Sequence, residues 1–469
     1  MSLLRKLFMK KSGLLLILLV FCIQLNAQQQ AYRIRKLANY NNPNLPKVDI
    51  TDIWNDCTGY FDPIKNREYA IAGGTDSIYF FDITNPSEMK LVDVRYGKSF
   101  YARNRDYECY KHYVYCVSDQ SQGIGGLQIF DLSYLPDSVH KVFEGGSFPT
   151  SSHTIFIDSI SKRMYLSGNT NPASAMCFAT LENPEIPVLL ANLNVPKKPN
   201  GYDLFNYVHE MYARHDTAYL SCAGAGLYIF DLRNPANQTM IGSITSYPDQ
   251  DYNHSSWLDK TGKYLMFTDE NMGMDVKIFD IKNLSEPKFV SQFNSNAQAT
   301  PHNAFWVGNF CYMSAYHDGV RVFDIGDPGN PVPVAWYDTH PDSPEVYGGF
   351  KGCWGIYPFL PSHRIIASDL TSGIFVLEID SDLVGVNEKP MLTDNFSIYP
   401  NPSHDFVTIE NKSGSTAQLQ VMDLEGKILL QQDLESPQNK INLQEMATGT
   451  YFIRIQTHGA VLYKKLLRW

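Results

Sequence analysis

An all-β chain is predicted: a seven-bladed β-propeller closed by an N-terminal strand, followed by a small C-terminal β-sandwich. Three observations predict it. First, a unit made of an apolar run, an acid, a proline-bearing turn and a second apolar run keeps returning. Copies read "DSIYFFDITNPSEMKLVDV" from Asp76, "GGLQIFDLSYLPDSVHKVF" from Gly125, "AGLYIFDLRNPANQTMIGSI" from Ala225, "MDVKIFDIKNLSEPKFVSQF" from Met274 and "DGVRVFDIGDPGNPVPVAWY" from Asp318. A degraded copy, "ASAMCFATLENPEIPVLLANL", starts at Ala173, and a truncated one, "SGIFVLEID", at Ser372. Second, the acid or its equivalent falls at Asp82, Asp131, Thr180, Asp231, Asp280, Asp324 and Glu378, in steps of 49, 49, 51, 49, 44 and 54 residues. Periods of this length belong to propeller blades or arrays of paired helices. Third, the runs are β-branched and aromatic ("VRVF", "LYIF", "VKIF") and bounded by turn clusters such as "RNPAN" and "GDPGN", while no helical spacing extends over ten positions.

The chain opens with Arg5, Lys6, Lys10 and Lys11 ahead of an apolar run from Leu14 to Ile23. A charged stretch followed by a hydrophobic segment too short to cross a bilayer reads as an export signal over residues 1–27, cut after Ala27. Cys22 invites a lipoprotein reading, but bulky Phe21 stands where such a signal needs a small residue. No later segment is long and apolar enough for a membrane helix.

Residues 31–380 hold the repeats. Upstream of the acid-ended runs stand "SHTIFIDSISKRMYLSG" from Ser152, "VHEMYARHDTAYLSCAG" from Val208, "NHSSWLDKTGKYLMFTDE" from Asn253 and "PHNAFWVGNFCYMSAYHDG" from Pro301. Each reads as strand, turn, strand, so a complete unit has four antiparallel strands. The apolar run buries both faces against neighbouring sheets, and the acid caps the following turn by accepting from its amides. The seventh unit lacks a fourth strand before the chain turns polar. The segment "AYRIRKLANY", Ala31 to Tyr40, is expected to supply it and so join the two ends of the ring.

Hydrophobic residues make up 44% and charged residues 19% of the chain, ordinary for a folded domain. With a net charge of −10 and no contiguous basic patch in the body, nucleic acid is not an expected partner. Beyond Cys22 the cysteines are Cys57, Cys109, Cys116, Cys177, Cys222, Cys311 and Cys353. An odd, scattered set without a CxxC pair reads as small core residues rather than as a disulfide framework or a structural zinc site.

The order of "SHTIFID", "YVHEMYARHDTAYLS", "YNHSSWLDKTGKYLMFTDE", "HNAFWVGNFCYMSAYHDGVRVFDIGDPGNPV" and "WGIYPFLPSHRIIASDLTSGIFVLEID" resembles that of choice-of-anchor B proteins, exported proteins built from LVIVD-type repeats. The resemblance spans about Ala31 to Asp380 and brings no catalytic residue with it. The tail, residues 396–469, carries "YPNP" at Tyr399 to Pro402, "DLEGK" at Asp423 to Lys427, "LQEMATGTYFIRI" and a basic end at Lys464, Lys465 and Arg468. It is similar to the type A sorting domain of the type IX secretion system and alternates apolar and polar positions as a small β-sandwich does. Residues 381–395 read as a linker. The resemblance implies handling by the type IX machinery, removal of the tail, and a mature protein released or attached at the cell surface.

Sliding the upstream strands over one another puts His153, His209, His254 and His302 at one register. Arg105 and Trp354 fill the same place in the second and seventh units, and Cys57 in the first. First strands line a propeller's channel, so these side chains are the candidate ligand-binding set. No catalytic residue is assigned and no cofactor is predicted. Two readings of the imidazoles stay open: hydrogen bonds that fix strand register, or a channel-bound metal or anion. The strand-end acids Asp269, Glu270 and Asp369 read as turn caps, since no calcium-loop motif accompanies them. No G-x-S-x-G elbow, P-loop or H-E-x-x-H helix occurs, and "GIGG" at Gly123 to Gly126 reads as a hairpin. The expected function is a secreted or surface scaffold that binds an unidentified glycan, peptide or protein without catalysis. The alternative is an extracellular hydrolase or lyase acting on glycan or peptide at the channel cluster.

Overall fold

The structure is a computed structural model and describes residues 30–119, 125–145, 147–170, 173–341, 347–383, 396–412, 416–423, 428–457 and 461–469. The expected export signal, residues 384–395 of the linker, most of "DLEGK" and the first two residues of "GIGG", Gly123 and Ile124, lie outside them. The chain forms two compact units, Met1–Asp380 and Ser381–Trp469.

The first unit contains seven antiparallel sheets among its described residues. Sheet 1 is Trp54–Asp62, Arg67–Gly74, Ser77–Asp82 and Lys90–Tyr96. Sheet 2 is Asn104–Tyr110, Tyr113–Asp119, Gln128–Asp131 and His140–Glu144. Sheet 3 is Thr154–Asp158, Arg163–Asn169, Ser174–Thr180 and Val188–Asn192. Sheet 4 is Glu210–Arg214, Thr217–Ser221, Leu227–Asp231 and Thr239–Ile244, and sheet 5 is Asn253–Leu258, Tyr264–Asp269, Val276–Asp280 and Lys288–Phe293. Sheet 6 takes Ala304–Val307, Phe310–Ser314, Val320–Asp324 and Val332–Tyr337. Sheet 7 takes Cys353–Tyr357, Arg364–Asp369 and Gly373–Ile379. First strands of consecutive sheets touch from sheet 1 through sheet 6, and sheet 7 meets the second strand of sheet 6 on one side and the first strand of sheet 1 on the other. The sheets therefore succeed one another in a closed cycle.

Burial explains the recurring apolar runs. In Ser77–Asp82 every residue is buried: Tyr79 and Phe81 pack with sheet 7, and Ile78 and Phe80 pack with sheet 2. Leu227 and Ile229 likewise face sheet 5 while Tyr228 and Phe230 face sheet 3. A third strand covered on both faces has no polar face to offer, so its sequence is apolar throughout rather than alternating. The acid that ends it does what its position suggests. The side-chain oxygens of Asp82, Asp131, Asp231, Asp280 and Asp324 each accept from the amide two residues on, and Thr180 Oγ1 does the same. A bulge then shifts the register between the third strand and the fourth-position strand in every sheet.

The N-terminal segment was expected to be one strand and is two. Ile34–Tyr40 pairs with Gly373–Ile379 in the fourth position of sheet 7, with the same bulge. Ala31–Tyr32 instead pairs with Tyr337 and Trp336 as a fifth strand of sheet 6. The switch occurs at Arg33, whose φ of 56° lies in the left-handed region and turns the chain from one sheet to the next. Its guanidinium Nε holds Asp380 at 3.2 Å.

In the second unit, Phe396–Tyr399, Phe406–Asn411 and Gln438–Asn442 form one sheet. Ile428–Leu434, Ala417–Met422, Gly449–Thr457 and Val461–Arg468 form the other. Val407, Ile409 and Ile441 of the first share a buried cluster with Leu419, Val421, Ile453 and Leu466 of the second.

Candidate functional site

The entry ends of the first strands converge on a cavity of about 420 Å3. His153, His209 and His302 each donate the backbone N–H to a serine carbonyl of the neighbouring second strand, Ser167, Ser221 and Ser314, at 2.8 to 2.9 Å. That shared register sets the imidazoles side by side. Ring centroids of His153 and His209 lie 4.2 Å apart, those of His209 and His254 4.2 Å, those of His254 and His302 4.4 Å, and those of His302 and Trp354 5.0 Å. Five of the six expected side chains therefore form one arc.

Arg105 does not join it. Its guanidinium points away, donating to the carbonyls of Gly74 (3.0 Å), Thr75 (3.1 Å) and Ser99. Arg105 pairs with Ser118 as Thr154 pairs with Ser167 and Glu210 with Ser221, so the residue at the histidine register is Asn104. One residue of slip reverses the face. Cys57 is displaced for a related reason: a bulge between Trp54 and Cys57 shifts the ladder, and Cys57 packs in the cluster between sheets 7 and 1.

Acids complete the wall: Asp56, Asp106, Glu108 and Glu210 from first strands, and Glu270 from the end of sheet 5's second strand. Asp106 and Glu108 stand two apart in one strand and so share a face. That spacing is readable in the run "DYECY", although it matches no catalytic motif. Asp106 accepts from the amides of Tyr107 (2.8 Å) and Ile155 (2.7 Å). Burial lifts the Asp56 carboxyl well above its usual range, and the adjoining Asp106 charge lifts it further. Burial also raises Glu108 and Glu210 well above theirs. Among the lining residues the guanidinium is that of Arg103, which is ion-paired with Asp49.

The arc divides into two electrostatic regimes. Burial opposes protonation of His153, but Asp119 Oδ2, 2.6 Å from Nδ1, overcomes it and raises the pKa. His153 Nε2 and His209 Nε2 are 2.8 Å apart, one donating and the other accepting. Burial first, then neighbouring imidazoles, hold His209 and His254 far below the ordinary histidine range. His302 is pushed down to about 3, again chiefly by burial. Its Nδ1 donates to the Trp354 carbonyl at 2.7 Å, so Nε2 carries the lone pair of the neutral ring. Glu270 faces two of these rings, with Oε2 3.5 Å from His254 Nε2 and Oε1 3.7 Å from His302 Nε2. Tyr316 donates its hydroxyl to Glu270 Oε1, and burial still raises that carboxyl to about 7.

The strand-end acids sort themselves differently. Asp369 caps its turn, accepting from the amides of Thr371 (3.0 Å) and Ser372 (2.8 Å). Asp269 is fully buried and bound to Lys277 Nζ at 2.7 Å and to the Tyr247 hydroxyl at 3.0 Å. Glu270, read as a cap from its sequence, belongs to the cavity.

At its far end the cavity is walled by rings. Trp257 stacks on Phe359 at 5.3 Å and meets Phe305 at 4.9 Å and Tyr212 at 4.7 Å, while Tyr357 closes on Phe359 at 5.4 Å. The site is thus polar at the strand-entry end and aromatic at the other.

Comparison with known proteins adds one family match: residues 397–468 fit the secretion system C-terminal sorting domain. The match covers the second unit and indicates export to the cell surface or beyond it. No curated protein matches the chain significantly. Among solved structures, the β-propeller domain of Myceliophteria thermophila Cps50 (Swd1) is similar at 12% identity and a TM-score of 0.49, over 69% of this chain and 96% of that one. Among the described residues no helix is long and apolar enough to cross a membrane.

Proposed function

We propose that the chain is an exported binding protein. Its first unit is read as a seven-bladed β-propeller of the LVIVD-repeat, choice-of-anchor B type, and its second as a small β-sandwich. The sandwich hands the chain to the type IX machinery and is then removed. The observation that carries the binding reading is the cavity itself, whose wall joins the imidazole arc and Glu270 to a set of aromatic rings. A ligand held there meets Glu270, the imidazole arc and Trp354 at the strand-entry end and Trp257 and Phe359 at the other. The loops feeding the first strands lie at that entry end and carry the exposed rings of Phe100, Tyr101, Tyr202 and Phe350. Phe350 reaches the cavity itself and meets Tyr316 at 5.2 Å. Aromatic faces around a polar pocket suit a sugar or a peptide end, apolar on one surface and hydrogen-bonding at its edges.

A screen of the purified full chain against glycan and peptide arrays tests this. A hit that weakens tenfold or more in Trp354→Ala and Phe350→Ala supports it; a folded chain that binds neither class, or binds unchanged in both variants, overturns it. One observation favours the alternative of an extracellular hydrolase or lyase: Glu270, a carboxyl raised to about 7 beside two imidazoles, is suited to exchange protons near neutral pH. Turnover of an array ligand, abolished in Glu270→Gln, would decide for that reading.

A further inference from the structure

The cavity is rich in groups that attract cations and poor in groups that repel them. Within it, one ligand atom each from His209, His254 and Glu270 lies within 4.8 Å of the others. His209 and His254 are 6% and 2% exposed. His254 Nδ1 has no hydrogen-bond partner, Glu210 Oε2 standing off at 3.8 Å. His209 Nδ1 likewise has no hydrogen-bond partner of good geometry, although the ring interacts with the His254 main chain. A buried ring nitrogen without a partner calls for a cause.

Facing lone pairs sharpen the point. His302 Nε2, an acceptor because Nδ1 is committed to the Trp354 carbonyl, looks onto Glu270 Oε1 at 3.7 Å. His254 Nε2 looks onto Glu270 Oε2 at 3.5 Å. In neutral His254, whichever nitrogen lacks the proton turns its lone pair to a carboxylate oxygen, Glu210 Oε2 at 3.8 Å from Nδ1 or Glu270 Oε2 at 3.5 Å from Nε2. A lone pair set against an ionised carboxylate is repelled unless a positive charge lies between them. Two ligands of one tetrahedral ion, each about 2.0–2.1 Å from it, stand roughly 3.3 Å apart, close to the His254–Glu270 spacing.

We propose that His209, His254 and Glu270 hold one divalent first-row transition ion, with zinc its nearest chemical match, inside the cavity. Imidazole nitrogens select such ions over calcium or magnesium, which prefer all-oxygen sites. The supporting groups are those a metal site requires. His153, backed by Asp119, fixes the His209 ring through Nε2, and Tyr316 fixes Glu270 through Oε1. Three protein ligands leave a coordination position for an oxygen of whatever the cavity holds. This inference rests on reading the cavity as a ligand pocket, and it names what the ligand would meet there.

The test uses the full chain, stripped with chelator and titrated with Zn2+ by calorimetry and with Co2+ by visible absorption. The expected result is one equivalent bound, with d–d bands of a four- or five-coordinate site. Affinity should fall at least tenfold in Glu270→Gln and in His254→Gln, and remain unchanged in His112→Gln, at an exposed histidine outside the cavity. Circular dichroism of each variant verifies folding, and Glu270→Gln, nearly isosteric, serves as the second route if His254→Gln is unstable. Folded wild-type chain that binds no ion, or binding undiminished in a folded Glu270→Gln variant, overturns the proposal. Array binding that persists while metal binding is absent would sink this inference and leave the pocket reading standing.

Discussion

At the scale of single residues, the cavity wall shows how burial turns ordinary acids into unusual ones. Glu108 lies two positions from Asp106 on the same strand face, and burial, then that neighbour's charge, raises its pKa. A carboxyl raised by folding contributes its full stability below the unfolded value of about 4.3 and loses it as pH rises through the folded value. Replacing Glu108 with Gln removes the charged form. The variant should therefore melt above wild type at pH 8, and the gap should close as pH falls below about 4, as read by thermal unfolding across that range. A gap independent of pH would show that the carboxyl is not held neutral by the fold. Arg105 carries the opposite lesson. In sequence it resembles a channel cation; in place it satisfies the carbonyls of Gly74, Thr75 and Ser99. Type and spacing were legible, but the face it points to depends on a one-residue register that bulges elsewhere in these ladders disturb.

At the scale of strands, the repeat was legible because its cause is local and repeated: a doubly covered strand, an acid that caps its turn, and a bulge. Closure was legible too, because a missing fourth strand at one end matched an unassigned strand at the other. The split at Arg33 was not, since only tertiary pairing reveals where Ala31–Tyr32 goes. The two pieces should differ in weight. Ile34 is buried, and Leu37, Ala38 and Tyr40 pack on the cluster between sheets 7 and 1. Burying such side chains is worth on the order of 5 kcal/mol together. Deleting residues 30–40 should thus lower the unfolding midpoint by roughly 10 °C or prevent folding, whereas deleting residues 30–32 should move it by only about 2 °C. Equal effects of the two deletions would remove the case for Ile34–Tyr40 as the clasp. Other first strands resisted reading for a different reason from Arg105, whose own ladder is unbroken. Bulges in the first ladders of sheets 1, 5 and 7 break the alternation that would otherwise mark a channel face.

At the scale of the whole molecule, each unit has its own apolar interior. Each cluster among the described residues of the first unit lies between two of its consecutive sheets, and that of the second unit is built from its own residues. Separate cores imply separate cooperativity, because the stabilisation lost on opening one is not shared by the other. The bond between the last strand of the ring and its clasp also lies wholly within the first unit, through Arg35 and Glu378 and the pairing around them. If the sorting tail is removed after export, as proposed above, such independence is what leaves the delivered body intact. A chain ending at Leu383 should therefore fold, melt within about 2 °C of the matching transition in the full chain, and take up Zn2+ with unchanged affinity. Calorimetry of the full chain should resolve a second transition that the shortened chain lacks. If truncation instead lowers the first transition by about 10 °C or more, or weakens the ion's binding, the two units unfold as one, and the tail is part of the functional body rather than its address.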